Sequence, residues 1–570
     1  MNHLFSITSA FLLSVSASFA QVQFADVTQQ AGLHFIGKNY GAAVADYNKD
    51  GFDDIFAISQ SGPCRLYRNN GDGTFTDVAA EVGVAYVGTP NVAGWADVNN
   101  DGFLDLFIGN REENNVLYVG SENGTFSNNT FLSGLLTGGK VKALLFADIN
   151  LDGRIDIYLA RLLAENILYL NMGNGQFVNF TNASGAKDSQ ISMGAIFLDY
   201  DNDGDPDLYL THDANQPNIL YQNDGNGYFT DVSSGSGANI GTNGMGVDFA
   251  DINQDGWLDI YVTNLYGNSL LLNNGNPTGE GVTFTEIADH AGVDDIGMGW
   301  GCAFLDVDND GWADIYAAND SYFAPIPNVL YRNNQNLTFS IIENTPLISL
   351  EPGYGIATLD FNNDGKMDIY LANYVGMLGN QLFRNDSPPL NNWVKIKAEG
   401  TSSNRSAIGS RVTVEANGLF LVDEIAGSSG YASQSSFTLH FGLGNASQVD
   451  KLTIRWPNGL EEVYENLPVN TTHFLTEGEG IFTDAFSPVN GAVEVNATPN
   501  PFFDHLNIEQ KNGYPQIASV ALFDIYGKKI VEKKDVDFPE QWNTTGLLPG
   551  VYIMRVNMGG YFSSIKLIKQ

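Results

Sequence analysis

The chain has 570 residues, with 66 Asp and Glu against 27 Lys and Arg, and a formal charge of −39 at pH 7. Such a field opposes nucleic acid and anionic lipid as partners, and the length calls for several domains. Disorder does not account for the acidity, because 43% of the residues are hydrophobic and 12% aromatic, enough to bury cores.

Met1–Ala20 is an apolar run ending Ser18-Phe19-Ala20, which reads as a secretory leader cleaved before Gln21. Its start carries His3 but no Lys or Arg, so a buried first helix is the alternative. No other stretch approaches the ~20 apolar residues that cross a bilayer, and no transmembrane segment is expected in the mature chain. The two cysteines, Cys64 and Cys302, fall at different points of the repeats described next and predict neither a bridge nor a metal site.

From Gln21 to about Pro388 the chain repeats itself. The unit is D-x-[ND]-x-D-G-x-x-D followed by Ile or Leu and an aromatic, starting at Asp46, Asp97, Asp148, Asp199, Asp251, Asp306 and Asp360. The steps are 51, 51, 51, 52, 55 and 54 residues, the mark of a repeat architecture. Positions 1, 3 and 5 set side-chain oxygens on one side of a tight loop, and glycine at position 6 permits the turn. Position 7 offers a main-chain carbonyl, and the Asp at position 9 closes the cage. An all-oxygen shell with three or four carboxylates suits a hard divalent cation, Ca²⁺ ahead of the octahedral Mg²⁺, so about seven Ca²⁺ sites are expected, one per copy.

The expected ligands in the first two loops are Asp46, Asn48, Asp50, Phe52 and Asp54, then Asp97, Asn99, Asp101, Phe103 and Asp105. Loops 3 and 4 offer Asp148, Asn150, Asp152, Arg154 and Asp156, then Asp199, Asp201, Asp203, Asp205 and Asp207. Loop 5 offers Asp251, Asn253, Asp255, Trp257 and Asp259. The last two offer Asp306, Asp308, Asp310, Trp312 and Asp314, then Asp360, Asn362, Asp364, Lys366 and Asp368. The loop is not an EF-hand, since its ninth residue leads straight into a strand pattern such as Asp54-Ile-Phe-Ala-Ile-Ser59. A plain hairpin turn uses the same residue types, but seven copies intact at positions 1, 5, 6 and 9 favour the cation. Crowding these carboxylates together without metal is repulsive, so binding should couple to folding.

Each repeat reads as four short strands with Gly- and Asn-rich turns. In copy four they are Met193–Leu198, Asp207–Thr211, Asn218–Gln222 and Tyr228–Val232. Four strands seven times over predicts an all-β chain whose first part, residues 21–388, is a seven-bladed β-propeller. Copy seven lacks a fourth strand, and its missing Gly-x-Phe-x-Asp-Val piece sits at the other end as Phe24-Ala-Asp-Val27. Pairing of that segment into the last blade would shut the ring and remove open edges. The acidic loops and strand pattern resemble FG-GAP/VCBS repeats, known from integrin α-chain propellers and many bacterial surface proteins. The resemblance implies that the nine-residue loops bind Ca²⁺ between the first two strands of each blade.

Beyond Ser387-Pro-Pro389, residues 389–480 change texture, with Asn404-Arg405, Ile408–Val412, Gly430–Gln434, His440–Gly444 and Trp456–Gly459 among alternating runs. They read as a small β-sandwich and resemble the ASPIC/UnbV domain that follows such propellers in cartilage acidic protein-like proteins. His440 is expected to be packed rather than reactive. Residues 481–570 carry Ala497–Phe502, Leu522–Lys528, Leu547–Ile553 and Lys566–Lys569, and resemble the C-terminal sorting domain of the type IX secretion system of Bacteroidetes, a second small β-sandwich. That likeness implies the type IX machinery as a partner and export to the outer surface or medium. An ordinary terminal sandwich is the alternative.

The sequence holds no H-E-x-x-H or G-x-S-x-G, and no His falls at ligand spacing with another. The expectation is a non-enzymatic binding or adhesion protein that recognises a glycan or protein partner. The alternatives are a secreted carbohydrate-active lyase or hydrolase and a structural surface component. Recognition hardware is expected just after each second strand, at Asn110-Arg111, Arg161, His212-Asp213, Asn264–Tyr266, Asn319–Tyr322 and Asn373-Tyr374. Tyr266, Tyr322 and Tyr374 suit stacking on sugars, although several of these Asn also suit turns.

Overall fold

The computed structural model describes residues 22–569 apart from 136–137, 277–278, 280, 322–324, 376, 485–494, 501, 511–517, 525–528, 537–538, 549 and 559–560. The expected leader, Met1–Ala20, lies outside the described residues. Two compact units result, one reaching to Val469 and joined by Thr476–Glu479, the other made of Asn470–Leu475 and Gly480–Gln570.

The repeats fold as seven four-stranded antiparallel sheets. Blade 4 consists of Ser192–Leu198, Asp207–His212, Ile219–Asn223 and Phe229–Asp231. Burial falls outward in the same order: every residue of the first two strands is buried, whereas Thr230 and Asp231 of the fourth are exposed. First strands lie against one another in chain order, and Gly353–Leu359 of blade 7 lies against Ala42–Ala45 of blade 1. The ring is therefore closed. Its seal is the expected one: Phe24–Asp26 pairs antiparallel with Gln381–Asn385, with Phe24 opposite Asn385 and Asp26 opposite Phe383.

Past the propeller, Asn392–Glu399 pairs with Leu439–Gly444. A second sheet has the order Leu419–Glu424, Arg411–Ala416, Val449–Arg455, Glu461–Leu467. These strands belong to the same compact unit as the propeller and sit on its acidic-loop face. The contact reaches every loop at position 6. A Cβ on Gly365 would collide with the Trp393 ring, one on Gly153 with the Ser402 carbonyl and one on Gly311 with Leu419. Gly102 and Gly204 face Arg405 and Arg455, Gly256 faces Phe420, and Lys397 approaches the Gly51 carbonyl. Glycine at position 6 supplies a left-handed φ in every loop (93° at Gly51), and at Gly153, Gly256, Gly311 and Gly365 it also permits close approach of the next domain.

From this domain Gly427–Ser436 descends into the propeller axis. The innermost strand of any blade is an edge strand with unpaired main-chain groups, and the inserted segment supplies partners. The Gln434 N–H donates to the Ala42 carbonyl (2.9 Å), and its own carbonyl accepts from Val44 (3.0 Å). Its side chain accepts from the Trp95 N–H (2.7 Å) and donates to the Trp95 carbonyl (2.9 Å). Gly430 exchanges two hydrogen bonds with Val247, at 2.7 and 3.1 Å. Tyr431, 1% exposed, packs 4.9 Å from Trp300, which itself stacks on Tyr354 at 4.4 Å.

The second unit contains a three-stranded sheet, Val495–Thr498, His505–Gln510 and Glu540–Asn543, and a four-stranded one, Lys529–Val536, Ala518–Asp524, Gly550–Met558 and Tyr561–Lys569. Its core joins Phe502, Leu506, Val520, Leu522, Trp542 and Met554.

Candidate metal loops and the opposite propeller face

All seven loops share one framework. The position 1 carboxylate accepts the N–H of position 5 on one oxygen and the glycine N–H on the other, at 2.9 and 2.9 Å in loop 1 and 3.1 and 2.8 Å in loop 6. Position 5 in turn accepts the N–H of position 7, as from Phe52, Phe103, Arg154, Asp205, Trp257, Trp312 and Lys366. Position 4 takes a left-handed φ in each copy, from 56° at Leu151 to 62° at Asn202. Its amide, where present, crosses to the next loop: Asn100 to Gly153 (2.7 Å), Asn309 to Gly365 (2.9 Å), Asn363 to Gly51 (3.1 Å).

The position 9 carboxylates lie buried at the inner end of each second strand, Asp54, Asp207 and Asp368 with no exposure. Burial raises them: Asp54 is pushed up to about 9, and Asp105, Asp156, Asp207, Asp259, Asp314 and Asp368 lie well above the ordinary carboxylate range. At position 1, burial lifts Asp148 to about 7 and Asp46, Asp97 and Asp251 to about 6. Several carboxylate oxygens are buried with no hydrogen-bond donor, among them Asp54 Oδ2, Asp201 Oδ1, Asp207 Oδ2 and Asp308 Oδ1. In loops 4 and 6 the oxygens of Asp199, Asp201 and Asp207, and of Asp306, Asp308 and Asp314, converge to within 4.8 Å of one another. A buried anion without a donor requires a cation or a proton, so these residues fit a hard cation.

The loops are not equivalent. In loop 6 Arg332 lies 2.8 Å from Asp308 and 2.9 Å from Asp310. Lys395 of the following domain contacts Asp360 at 2.6 Å, and Lys397 lies 3.8 Å from Asp46. Arg455 pairs with Asp199.

Two asparagines flanking the third strand escape a reading based on turns. The outer one donates its side-chain amide across the blade boundary: Asn333 to the Ile252 carbonyl (3.0 Å), Asn385 to Val307 (2.9 Å), Asn69 to Phe361 (2.8 Å). Its main-chain N–H binds the position 9 carboxylate, 2.7 Å from Asn333 to Asp314. The inner one, such as Asn218 or Asn268, accepts the N–H of the last residue of the second strand and donates to a buried tyrosine hydroxyl. The signal is present as Asn-x-x-x-x-Asn in five copies, from Asn166-Ile-Leu-Tyr-Leu-Asn171 to Asn380-Gln-Leu-Phe-Arg-Asn385. Cys64 and Gly120 replace one member in blades 1 and 2.

On the opposite face the expected recognition residues divide. Asn110, His212, Asn264, Asn319 and Asn373 are buried and brace their own turns, as where Asn373 donates to Gly379 (2.7 Å). His212 bonds the Pro217 carbonyl at 2.7 Å and Asp188 at 3.1 Å. Tyr374 packs on Tyr40 and Tyr354 (5.1 and 5.0 Å), and Tyr322 lies outside the described residues. Tyr266 stands clear, 77% exposed. His440 is packed as expected, with Nε2 3.0 Å from the Gly365 carbonyl and its ring against Trp393. Burial lowers it to about 4. Cys64 and Cys302 are buried free thiols.

A closed ring of four-stranded blades with an acidic nine-residue turn in each defines a propeller of the calcium-loop class. The FG-GAP-like repeat family matches residues 46–108, 97–159, 148–210, 199–262, 251–317 and 306–371, and the chain belongs to it. The ASPIC and UnbV family matches residues 400–481, and the secretion system C-terminal sorting domain matches 496–570. The chain is similar to Cartilage acidic protein 1 of Xenopus tropicalis, 26% identical over 470 residues, covering 74% of this chain and 70% of the relative. The Homo sapiens protein of that name is 26% identical over 475 residues, 74% of this chain and 69% of its own. The sorting domain marks the chain for type IX export to the cell surface or medium. No helix among the described residues is long and apolar enough to cross a membrane.

Proposed function

We propose that the chain is a non-catalytic, Ca²⁺-stabilised exported protein that recognises a glycan or protein partner with the propeller face opposite its acidic loops. The observation that carries this reading is the asymmetry of the ring. The loop face is covered by the second domain, whereas the far ends of blades 5 to 7 expose Tyr266 (77%), Ile296 (69%), Leu350 (58%), Met377 (85%) and Leu378 (50%). The segments are tied in pairs: the Tyr266 N–H donates to the carbonyl of Gly297, next to Ile296 (3.0 Å), and the Leu378 N–H to the carboxylate of Glu351, next to Leu350 (3.1 Å). Exposed apolar groups on a rigid scaffold are typical of interaction surfaces.

Calcium would be held by positions 1, 3, 5 and 9 with the carbonyl of position 7. It supplies no chemistry beyond charge, neutralising carboxylates that the fold has already desolvated. The test is a glycan array and a surface-protein pull-down with the Ca²⁺-loaded full chain, beside a polysaccharide depolymerisation assay. Selective binding weakened by Tyr266→Ala or Met377→Ala is expected. Turnover of a polysaccharide, or binding indifferent to both substitutions, refutes the reading.

A further inference from the structure

We propose that the mouth of the propeller axis, on the face away from the acidic loops, is an oxyanion site formed by Lys142, Arg111 and Tyr431 that takes the carboxylate or sulfate of an acidic sugar. The inference rests on that face being the recognition surface and names the chemistry recognised there.

Six residues before the first Asp of each loop, six blades carry Tyr40, Asn91, Met193, Met245, Trp300 and Tyr354, whereas blade 3 carries a charge, Lys142. Lys142 lies in the strand Val141–Ala147, at the end remote from loop 3. Its ammonium donates to the hydroxyl of Tyr431 from the inserted segment (3.1 Å) and stands 6.0 Å from the ring centre of Trp300, which belongs to blade 6 across the axis. Lys142 is half-buried, and it forms no ion pair among the described residues. Burial pulls it down to about 8, with the Arg111 charge adding to the fall and Asp213 opposing it.

Arg111 follows the second strand of blade 2, Asp105–Asn110, and so stands on the same face. It is exposed, and its guanidinium too has no ion pair among the described residues. Its charge acts on Tyr40 and Tyr431 as well as on Lys142, so it overhangs the mouth. Two cations without a counter-ion therefore meet in a chain of formal charge −39. The Tyr431 hydroxyl accepts from Lys142, and its own proton finds no acceptor among the described residues. A guanidinium fork, an ammonium and a hydroxyl gathered at one mouth are the donors an oxyanion requires.

The acids beside them decide between partners. Asp213 is half-buried and acts on both Lys142 and Tyr431, and Asp320 accepts the Tyr354 O–H at 2.9 Å. Their oxygens suit sugar hydroxyls, whereas an acidic peptide, charged along its length, is repelled by them and by the rest of the chain. A molecule that bears one anionic group among hydroxyls matches both sets.

The experiment titrates the Ca²⁺-loaded full chain by calorimetry with D-galacturonate, D-galactose 6-sulfate, neutral D-galactose and a tetraglutamate peptide. Binding of an acidic sugar is expected, with the neutral sugar and the peptide weaker. Lys142→Met and the exposed Arg111→Gln should each weaken binding about tenfold or more without lowering Tm. Tyr431→Phe, which keeps the ring in the axis and loses the hydroxyl, should weaken it about fivefold. Unaltered affinity in Lys142→Met or Arg111→Gln overturns the site. Equal binding of neutral galactose, or tighter binding of tetraglutamate, overturns the choice of an acidic sugar. No acidic sugar bound, while another partner is captured through Tyr266 and Met377, overturns this inference and leaves the proposed function standing. No partner of any kind overturns both.

Discussion

The last blade borrows its outer strand from the start of the chain, and Phe24→Ala tests whether that loan holds the ring shut. Phe24 is 8% exposed and packs with Leu305, Met367, Ile369 and Phe383. Replacing a buried phenylalanine by alanine costs about 3–5 kcal/mol, transfer and cavity together. Against that, the segment has three ladder positions with Gln381–Asn385, a 2.9 Å bond from the Leu382 N–H to Thr28 Oγ1 and one from Gln381 Nε2 to Asp26, also 2.9 Å. At about 1 kcal/mol net per hydrogen bond, they match but do not exceed that loss, so the strand should loosen once Phe24 is gone. Hydrogen exchange is the assay. The amides of Val27 and Leu382, which bond across the seal, should exchange far faster in the variant, while the third strand of blade 4, Ile219–Asn223, keeps its protection. Native protection at Val27 and Leu382, or equal loss in blade 4, would show that the ring is not sealed by this strand.

Three further outcomes follow from the packing. Tyr431→Ala should lower stability by about 3–5 kcal/mol and alter the near-ultraviolet circular dichroism of Trp300, measured by urea denaturation and spectroscopy. Asn333→Ala strands the buried carbonyls of Ile252 and Ala313, which it now satisfies at 3.0 and 3.2 Å, and should cost about 2–4 kcal/mol. The exposed Asn336→Ala should cost almost nothing in the same melt. Burial pushes Asp248 and Asp423 up to about 7, and the charge of Asp248 raises Asp423 further. Asp248 accepts the Phe304 N–H (2.8 Å) and faces Ser429, and Arg411 lies near Asp423. Their folded-state values exceed the unfolded ones, so the stability they allow is full below about pH 4 and is lost as pH rises through about 7. Each pH step across that window costs roughly 1.4 kcal/mol per group. Asp248→Asn should flatten that decline in a pH series of melts, and a steeper decline would refute the assignment.

What the sequence made legible is what the main chain dictates locally. Asp46 and its counterparts bind the N–H groups of positions 5 and 6, so the nine-residue pattern cannot drift without opening the turn, and its period announces the blades. The missing fourth strand of blade 7 is legible for the same reason. The role of Asn333 is not legible because its partner, the Ile252 carbonyl, lies in a neighbouring blade, and Asn218, placed at the start of a strand, shows its bond to the Tyr209 hydroxyl only once the hairpin register is known. Tyr374 looks like a stacking platform in sequence, yet it already packs against Tyr40 and Tyr354, at tilts of 48° and 37°.

The segment Gly427–Ser436 illustrates the limit most sharply. Gly-Ser-Ser-Gly-Tyr-Ala-Ser-Gln-Ser-Ser has the composition of a flexible linker. Small residues are what a narrow axis admits, however, and a polar main chain is what seven unpaired inner strand edges require. The same composition therefore serves opposite ends, and only the surroundings decide. Once the segment is in place, the second domain is bound to the ring by its own backbone as well as by Lys395, Arg411 and Arg455, and it lies against the position 6 turn of the acidic loops. A partner that approaches the propeller axis must then do so from the face where Tyr266 and Met377 stand exposed.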